Sequence, residues 1–223
     1  MTLPATSRAT GRPPRLSRQA VIERAIAILE ADGIEALTMR RLARDLESSP
    51  MALYGHVRDK DELLVAVLDR RAAELPRPAL PDDPRGRLLV LYGLLFESLS
   101  NQPWIVPVLT KGDLSAPSIF GTVDAILGAF LAAGLPPERA AAAYHVAWRY
   151  TVGELTVRQA SAERRSAILR EPLTTTLQRR ADSTDFPHLA ALRGSMAAAR
   201  EGLDFQMGLA AVIDGLLAWG DPS

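Results

Sequence analysis

Apolar residues recur along this chain with the period of an α-helix, and glycine and proline fall between the periodic stretches. The first apolar stripe would share one helical face and consists of Val21, Ile22, Ala25, Ile26 and Leu29. β-branched residues form none of the alternating runs that are typical of a half-buried strand. The pattern therefore predicts an all-α fold.

Four helices are predicted between residues 17 and 75, and each starts at a residue type that caps helices. A side-chain oxygen at this position accepts a hydrogen bond from a backbone N–H that has no partner within the helix. The predicted caps are Ser17, Thr38, Ser49 and Asp59. Gly33 is expected to end the first helix with a left-handed backbone conformation. The third helix has Pro50 at its first position and is expected to stop near Arg58.

The segment from Pro76 to Pro81 interrupts the helical pattern and marks a candidate domain boundary. We predict an N-terminal arm over residues 1–16, a first domain over residues 17–75 and a larger helical domain over residues 82–220. In the larger domain the helices lengthen, with predicted starts at Asp83, Pro103, Pro117, Pro136 and Asp204. Between residues 161 and 202 the pattern weakens, because Pro172 and Pro187 interrupt it and polar residues cluster there, and we expect shorter helices and a mobile connection.

Positive charge is concentrated at the front of the chain. Residues 1–60 carry ten basic and seven acidic residues, whereas residues 61–223 carry sixteen basic and nineteen acidic residues. The first twenty residues contain no acid and form a polar arm with Arg8, Arg12, Arg15 and Arg18. Within it, Gly11-Arg12-Pro13 resembles the core of AT-hook peptides, whose arginine enters a narrow minor groove of DNA. The alternative is a solvated tail.

The absence of cysteine excludes disulfides, thiolate-bound zinc and a thiol nucleophile, and it fits a reducing compartment. The chain begins without the apolar run of a signal peptide, and no apolar stretch reaches the ~18 residues that span a bilayer. We therefore expect a cytoplasmic protein without a membrane partner.

Motifs of catalysis are missing from the sequence. It contains no Gly-x-Ser-x-Gly turn, no phosphate-binding glycine loop and no His-Glu-x-x-His pair. The three histidines, His56, His145 and His188, are scattered along the chain. We predict that the protein is not an enzyme, and we assign no catalytic residue, cofactor or metal ligand.

The second and third predicted helices have the spacing of a helix-turn-helix motif, whose second helix lies in the major groove of DNA. The side chains that would lock the pair together are Leu42, Leu46, Leu53 and Val57. Small or polar groups at the front of the third helix would approach the base edges, namely Ser49, Pro50, Met51 and Ala52. The residues that could reach phosphates are Arg40, Tyr54, His56 and Lys60.

Two segments of this region resemble the DNA-binding domain of the tetracycline-repressor (TetR) family. They are Leu-Thr-Met-Arg-Arg-Leu-Ala at residues 37–43 and Pro-Met-Ala-Leu-Tyr-Gly-His-Val-Arg-Asp-Lys-Asp-Glu-Leu-Leu at residues 50–64. Weaker motifs at residues 102–104, 133–135 and 205–216 are similar to the ligand-binding and dimerising half of the family, in particular to the subset close to the tetracycline repressors.

The resemblance implies a transcriptional repressor that binds a pseudo-palindromic operator in double-stranded DNA as a homodimer. It also implies that a small molecule entering the C-terminal half releases the DNA. By position, the residues at the DNA would be Thr38, Arg40, Pro50, Met51, Ala52, Tyr54, His56 and Lys60. The alternative is a helical small-molecule carrier or sensor without sequence-specific DNA binding.

Glu47 departs from the family pattern, because relatives usually have glycine at this position of the turn. If Glu47 keeps a left-handed φ, it costs on the order of 1 kcal/mol more than glycine. It also places a negative charge near the phosphates. We expect either a different turn or a reduced affinity for DNA.

A ligand site needs an apolar enclosure with a few polar groups that fix orientation. The candidates are Phe96, Asn101, Gln102, Trp104, Phe120, His145, Trp148 and Arg149, with Thr151 and Glu154 nearby in sequence. His145, Trp148 and Arg149 are three or four residues apart, so one helical face could present them together. For each candidate the alternative is an ordinary core or surface position.

The last predicted helix carries Gly208 and Gly215, which are seven residues apart and would allow another helix to approach closely. Together with the helix after Pro137, it could form a four-helix dimer interface of the kind the family uses. Packing within one chain is the alternative.

Overall fold

The computed structural model describes residues 16–109, 116–166, 186–192, 195, 198–199 and 202–220. Regular structure within these residues is helical, and the prediction of an all-α fold is confirmed. Of the helices in the described part of the chain, none is long and apolar enough to cross a membrane. The predicted arm with Gly11-Arg12-Pro13 and most of the weak segment between residues 161 and 202, including Pro172, lie outside the described residues.

The N-terminal region, residues 16–75, contains four α-helices that begin where the sequence predicts. They are α1 (Arg18–Asp32), α2 (Met39–Asp45), α3 (Pro50–Leu53) and α4 (Lys60–Ala73), and a short 3-10 helix (Ile34–Ala36) precedes α2. The four predicted caps accept hydrogen bonds of 2.7 to 3.2 Å from the backbone N–H groups of Ala20, Arg41, Ala52 and Glu62. Gly33 ends α1 with φ = 78°, as expected.

Two details of this region differ from the prediction. The α-helical part of α3 ends at Leu53 instead of near Arg58. The N–H groups of Gly55 and His56 bond to carbonyls three residues back, at 3.3 and 2.8 Å, which tightens the chain into a turn. Leu16, which the sequence assigned to the arm, packs against the core of the N-terminal region.

The C-terminal region, residues 84–220, contains longer helices. They are α5 (Pro84–Ser100), α6 (Ile105–Leu109), α7 (Phe120–Ala132), α8 (Pro137–Ser166), α9 (Pro187–Ala191) and α10 (Phe205–Leu217). Asp83 and Asp204 cap α5 and α10 as predicted, through N–H groups at 2.6 and 2.8 Å. Helix α6 begins two residues after the predicted Pro103, Pro117 opens a 3-10 helix that leads into α7, and α8 extends beyond its predicted end near residue 160.

The core of the N-terminal region is shared with the C-terminal region. Side chains of α1, α2, α3 and α4 form a cluster in which Val21, Leu42 and Leu53 are fully buried. Trp104 and Val108 of the C-terminal region belong to the same cluster and are also buried. The segment around α6 therefore joins the two regions.

A second core lies between α5, α7, α8 and α10, which pack on one another. The rings of Phe96 and Phe205 stack with centroids 3.8 Å apart and planes inclined by 3°. The Tyr92 hydroxyl donates to the Tyr144 carbonyl at 3.0 Å. Burial raises the pKa of Tyr92 far above its usual value, so this side chain stays neutral in the folded protein.

Candidate nucleic-acid interface

Helices α2 and α3 form a rigid pair. Leu42 and Leu53 are fully buried, Val57 is nearly so, and Leu46 packs against the same cluster. Because these side chains come from both helices and from the turn after α3, neither helix can move without opening the core. The arrangement is that of a helix-turn-helix motif.

The turn between α2 and α3 contains Glu47, whose φ is 51°. The Ser48 N–H bonds to the Ala43 carbonyl at 2.9 Å, and the Glu47 N–H bonds to the Arg44 carbonyl at 3.1 Å. These hydrogen bonds hold the chain in a turn that glycine would adopt without steric cost. Glu47 therefore does keep the left-handed conformation, with its side chain exposed.

The front of α3 faces solvent. Pro50, Met51 and Ala52 are exposed, with 78% of Met51 accessible, and Tyr54 follows at 47%. The Ser49 hydroxyl is occupied by the Ala52 N–H that it caps. The exposed surface at the start of this helix is thus largely apolar.

The other predicted DNA residues lie around this front. Thr38 and Arg40 are exposed at the start of α2, where the Thr38 hydroxyl caps the helix. His56 and Lys60 are half-buried. The Lys60 ammonium donates to the Ile34 carbonyl at 3.3 Å, which ties the start of α4 to the 3-10 helix that precedes α2.

The eight predicted ligand residues do not form one cluster. Trp104 lies in the N-terminal core, whereas Phe96 lies in the C-terminal core, where it stacks on Phe205 and has the Arg158 guanidinium 4.9 Å from its ring centroid. Gln102 and Trp148 are half-buried, and the exposed candidates are Asn101, Phe120, His145 and Arg149. Asn101 and Trp104 line an open groove of about 520 Å³ between the end of α1 and α6.

The predicted shared face of α8 is present only in part. His145 and Arg149 are both exposed, but Trp148 packs against the C-terminal core. Thr151 is fully buried and its hydroxyl donates to the Ala147 carbonyl at 2.9 Å, so the helix itself satisfies this polar group.

Comparison with known proteins bears on the whole chain. A model of the tetracyclin repressor-like C-terminal domain matches residues 77–219, and the model of bacterial regulatory proteins of the tetR family matches residues 21–67. The chain belongs to the tetracycline-repressor family. The helix-turn-helix described above lies within the part matched by the second model.

Relatives of this TetR-family protein include curated regulators and solved structures. An HTH-type transcriptional regulator of Saccharopolyspora erythraea is 27% identical over 179 residues, which are 79% of this chain and 75% of the relative. The class A tetracycline repressor from transposon 1721, from Escherichia coli, is 29% identical over 209 residues, 91% of each chain. Apo ActR from Streptomyces coelicolor aligns with a TM-score of 0.75 at 25% identity, over 93% of this chain and 99% of its own.

Membership of the TetR family makes the protein a transcriptional regulator rather than an enzyme, as the sequence predicted. It also agrees with the helix-turn-helix at the front of the chain. Which exposed residues of this motif are free to contact DNA depends on the hydrogen bonds and ion pairs that each of them already makes.

Two exposed bases beside the helix-turn-helix were missed by the sequence reasoning. The side chains of Arg44, at the end of α2, and Arg58, before α4, are 74% and 86% exposed. Both lie beside the TetR helix-turn-helix in the sequence, and this location could have identified them as candidates for contact with DNA. Arg58 donates to the Glu62 carboxylate through its backbone N–H at 2.8 Å and its guanidinium at 3.0 Å. These bonds lower the pKa of Glu62 and raise the pKa of Arg58.

Two ion pairs join α2 to α1. Arg24 donates to Asp45 at 2.8 Å, and Arg41 donates to Asp32 at 2.5 Å. The hydrogen bond from Arg24 lowers the pKa of Asp45, so the carboxylate stays ionised across the physiological range. Arg24 and Arg41 are thus engaged between helices. Arg44 and Arg58 pair only with the nearby Asp45 and Glu62 and stay more exposed, so together with the exposed Arg40 they are the better candidates for phosphates.

Proposed function

We propose that the protein is a homodimeric repressor that acts in the cytoplasm and binds a pseudo-palindromic operator in double-stranded DNA. A small-molecule effector that binds the C-terminal region would release the operator. The observation that carries DNA binding is the α2–α3 pair, in which buried leucines fix both helices while the front of α3 stays exposed. A helix presented in this way fits the major groove.

Basic and polar side chains around the motif support this docking to DNA. Thr38, Arg40, Arg44 and Arg58 are exposed next to the front of α3 and would contact phosphates, while Tyr54 contributes an exposed hydroxyl. Lys60 and His56 are half-buried, so we assign them to the edge of the contact. Pro50, Met51 and Ala52 would face the base edges.

A dimer is supported by the outer faces of α8 and α10. Val146 and Val157 on α8 and Met207 on α10 are exposed apolar side chains. Gly215 is exposed on α10, and a Cβ added there would meet no atom within 4 Å. Gly208 has a different role, because a Cβ there would collide with the Tyr150 hydroxyl of the same chain. The two glycines thus divide between packing within the chain and the proposed contact between chains.

Effector control is supported by the segment around α6. Trp104, Ile105 and Val108 are buried in the N-terminal core, so a ligand that moves this segment also moves the base of the helix-turn-helix. We place the effector in the C-terminal region, where Phe96 and Trp148 belong to the core and Gln102 is half-buried. ActR, which is 25% identical with a TM-score of 0.72, has been solved in complex with actinorhodin, an example of such a ligand complex.

The test of DNA binding is selection from a random pool of duplex DNA with the full chain at near-physiological salt. We expect an enriched inverted repeat whose half-site centres are ~34 Å apart, or a multiple of that distance. Arg40→Ala should weaken binding and lower the salt slope by about one unit for each phosphate that the protein no longer neutralises. Arg77→Ala, which changes an exposed arginine between the two regions, is the matched control.

Retention that is sensitive to salt but enriches no sequence would contradict the proposal and favour the carrier or sensor. Sedimentation tests the dimer separately, with an expected mass of twice the 24.1 kDa chain. Gly215→Glu should produce monomers, whereas Gly121→Glu, at an open glycine of α7, should leave the mass unchanged.

Effector release can then be measured on the selected operator. Actinorhodin and tetracycline are the first probes, because relatives of this chain carry these compounds in their names or complexes. A compound that releases the operator must itself bind more weakly when the operator is present, by the same factor.

A further inference from the structure

Met51 is the most exposed large apolar side chain in the described part of the chain, with 78% of its surface accessible. It lies in the first turn of α3, between Pro50 and Ala52, which are exposed as well. The core beneath α3 is filled by the fully buried Leu53, and most of the Met51 surface is left outside it. Its position instead directs it at whatever α3 contacts.

The start of α3 has little capacity for hydrogen bonds to bases. Pro50 has no N–H, and the Ala52 N–H is bound by the Ser49 hydroxyl at 3.2 Å. The side chains of Pro50, Met51 and Ala52 contain no strong donor or acceptor. The side chains of these three residues can therefore offer a base only apolar contact, beside the O–H donor of the exposed Ser49.

Only one base edge offers an apolar group in the major groove, namely thymine with its 5-methyl group. We infer that Met51, supported by Ala52, reads the 5-methyl group of a thymine in each half-site of the operator. This inference rests on the proposed function, and it adds the chemistry by which the operator is recognised. Phosphate contacts would position the protein, and this apolar contact would supply part of the sequence preference.

The experiment uses the operator selected by the full-length wild-type chain, with deoxyuridine replacing thymidine at one symmetric pair of positions at a time. Deoxyuridine pairs as thymidine does but lacks the 5-methyl group. We expect one pair of positions at which affinity falls about fourfold for each methyl group removed, hence roughly fifteenfold for the dimer. The salt slope of binding should not change at that pair, since every phosphate of the operator stays in place.

Protein variants connect the effect to Met51. Met51→Ala should bind the thymidine operator more weakly and should no longer distinguish it from the deoxyuridine operator. Met51→Leu keeps an apolar side chain of similar size and should preserve the distinction. Leu131→Ala is the matched control, because Leu131 is also an exposed apolar side chain, at 47%, but lies on α7.

The outcomes separate this inference from the proposed function. An enriched inverted repeat that tolerates deoxyuridine at every position overturns the inference alone. A thymidine preference that persists undiminished in Met51→Ala overturns it as well, because another residue then reads the methyl group. If no inverted repeat is enriched, both the proposed function and the inference fail.

Discussion

The N-terminal and C-terminal regions of this TetR-family protein are built in different ways. In the N-terminal region each of the helices α1 to α4 begins at a side-chain cap, and ion pairs such as Arg24–Asp45 link neighbouring helices. In the C-terminal region Asp83 and Asp204 cap α5 and α10, but α7 and α9 begin without a capping side chain, and the helices meet mainly through apolar faces, with the Arg85–Asp214 ion pair between α5 and α10. Both regions have an apolar core, but side-chain caps contribute to every helix start in the first region and to only some in the second.

This difference suits the two proposed tasks. A DNA-binding surface must keep one geometry, because its contacts match the fixed dimensions of the major groove. A region that accommodates a ligand benefits from contacts that can rearrange, since apolar packing has no strict directionality. The two regions are linked by the segment around α6, where Trp104 enters the N-terminal core, and by the 3-10 helix Pro117–Ile119, whose Ser118 N–H donates to Asp69 of α4 at 2.8 Å.

The largest expected effect comes from cutting this link with Trp104→Ala. Removing a buried tryptophan side chain should lower the free energy of unfolding by about 3–5 kcal/mol. Because the side chain connects the regions, we also expect a single unfolding transition in denaturant to split into two. Circular dichroism and intrinsic fluorescence, followed together during unfolding, measure both effects.

Trp219→Ala is the control for this variant, because Trp219 is 39% exposed and lies at the far end of the C-terminal region. It should change the free energy of unfolding much less. A Trp104→Ala protein that unfolds in one transition with nearly wild-type stability would show that the contact of Pro117–Ile119 with α4 is enough to couple the regions.

The same contrast explains how far the sequence could predict the structure. The caps Ser17, Thr38 and Asp59 accept hydrogen bonds from N–H groups three residues further on. The residues that define each helix start are therefore close together in the sequence. The sequence left the turn at Glu47 open between a left-handed φ and a different turn, and the observed φ of 51° decides for the first. The early end of α3 was not predicted, since bonds between residues three apart leave no mark on the apolar pattern.

The ligand candidates show where sequence reasoning stops. Trp104 and Phe96 are both buried aromatic residues near the end of α5, and nothing in their local sequence shows that they enter different cores. The partners of Phe96 are Phe205 and Arg158, which are distant along the chain. Such partners follow from the packing of whole helices, so the assignment of ligand residues remains a proposal.

Removing a cap tests the local chemistry of the N-terminal region. Ser49→Ala deletes the hydroxyl that accepts from the Ala52 N–H and should lower the free energy of unfolding by about 1 kcal/mol. It should weaken operator binding too, because α3 starts at this cap. Urea unfolding and operator titration are the measurements.

The matched variant in the C-terminal region is Ser100→Ala. The Ser100 hydroxyl is buried and has no hydrogen-bond partner among the described residues, so its removal should leave stability unchanged or slightly raised. Equal losses for both serines would remove the distinction between the regions.

Glu47 is an exception within the N-terminal region, because its left-handed φ is unfavourable for a residue with a side chain. Glu47→Gly should remove this backbone strain. We expect a gain of about 1 kcal/mol in the free energy of unfolding, because glycine adopts the left-handed φ without steric cost. Operator affinity should also rise as a negative charge leaves the neighbourhood of the phosphates. Glu47→Ala separates the two causes, since it removes the charge but keeps the strained φ. If both variants gain the same stability, backbone strain is not the source of the effect.

The smallest expected effect concerns the ion pair between Arg85 of α5 and Asp214 of α10, with contacts of 2.5 and 2.9 Å. The hydrogen bond from Arg85 lowers the pKa of Asp214 below its usual value of 3.8. A carboxylate whose folded pKa is depressed stabilises the protein above the unfolded pKa and loses that contribution as the pH falls through the folded pKa. Wild-type stability should therefore drop more between about pH 5 and pH 2 than the stability of Asp214→Asn.

Asp124→Asn, at an exposed aspartate of α7, should keep the wild-type slope of stability against pH. Because both side chains of the pair are about half exposed, salt should diminish the difference, whereas it should leave the apolar contact of Trp104 intact. An acid profile of Asp214→Asn that coincides with that of the wild type would mean that apolar packing alone joins α5 to α10.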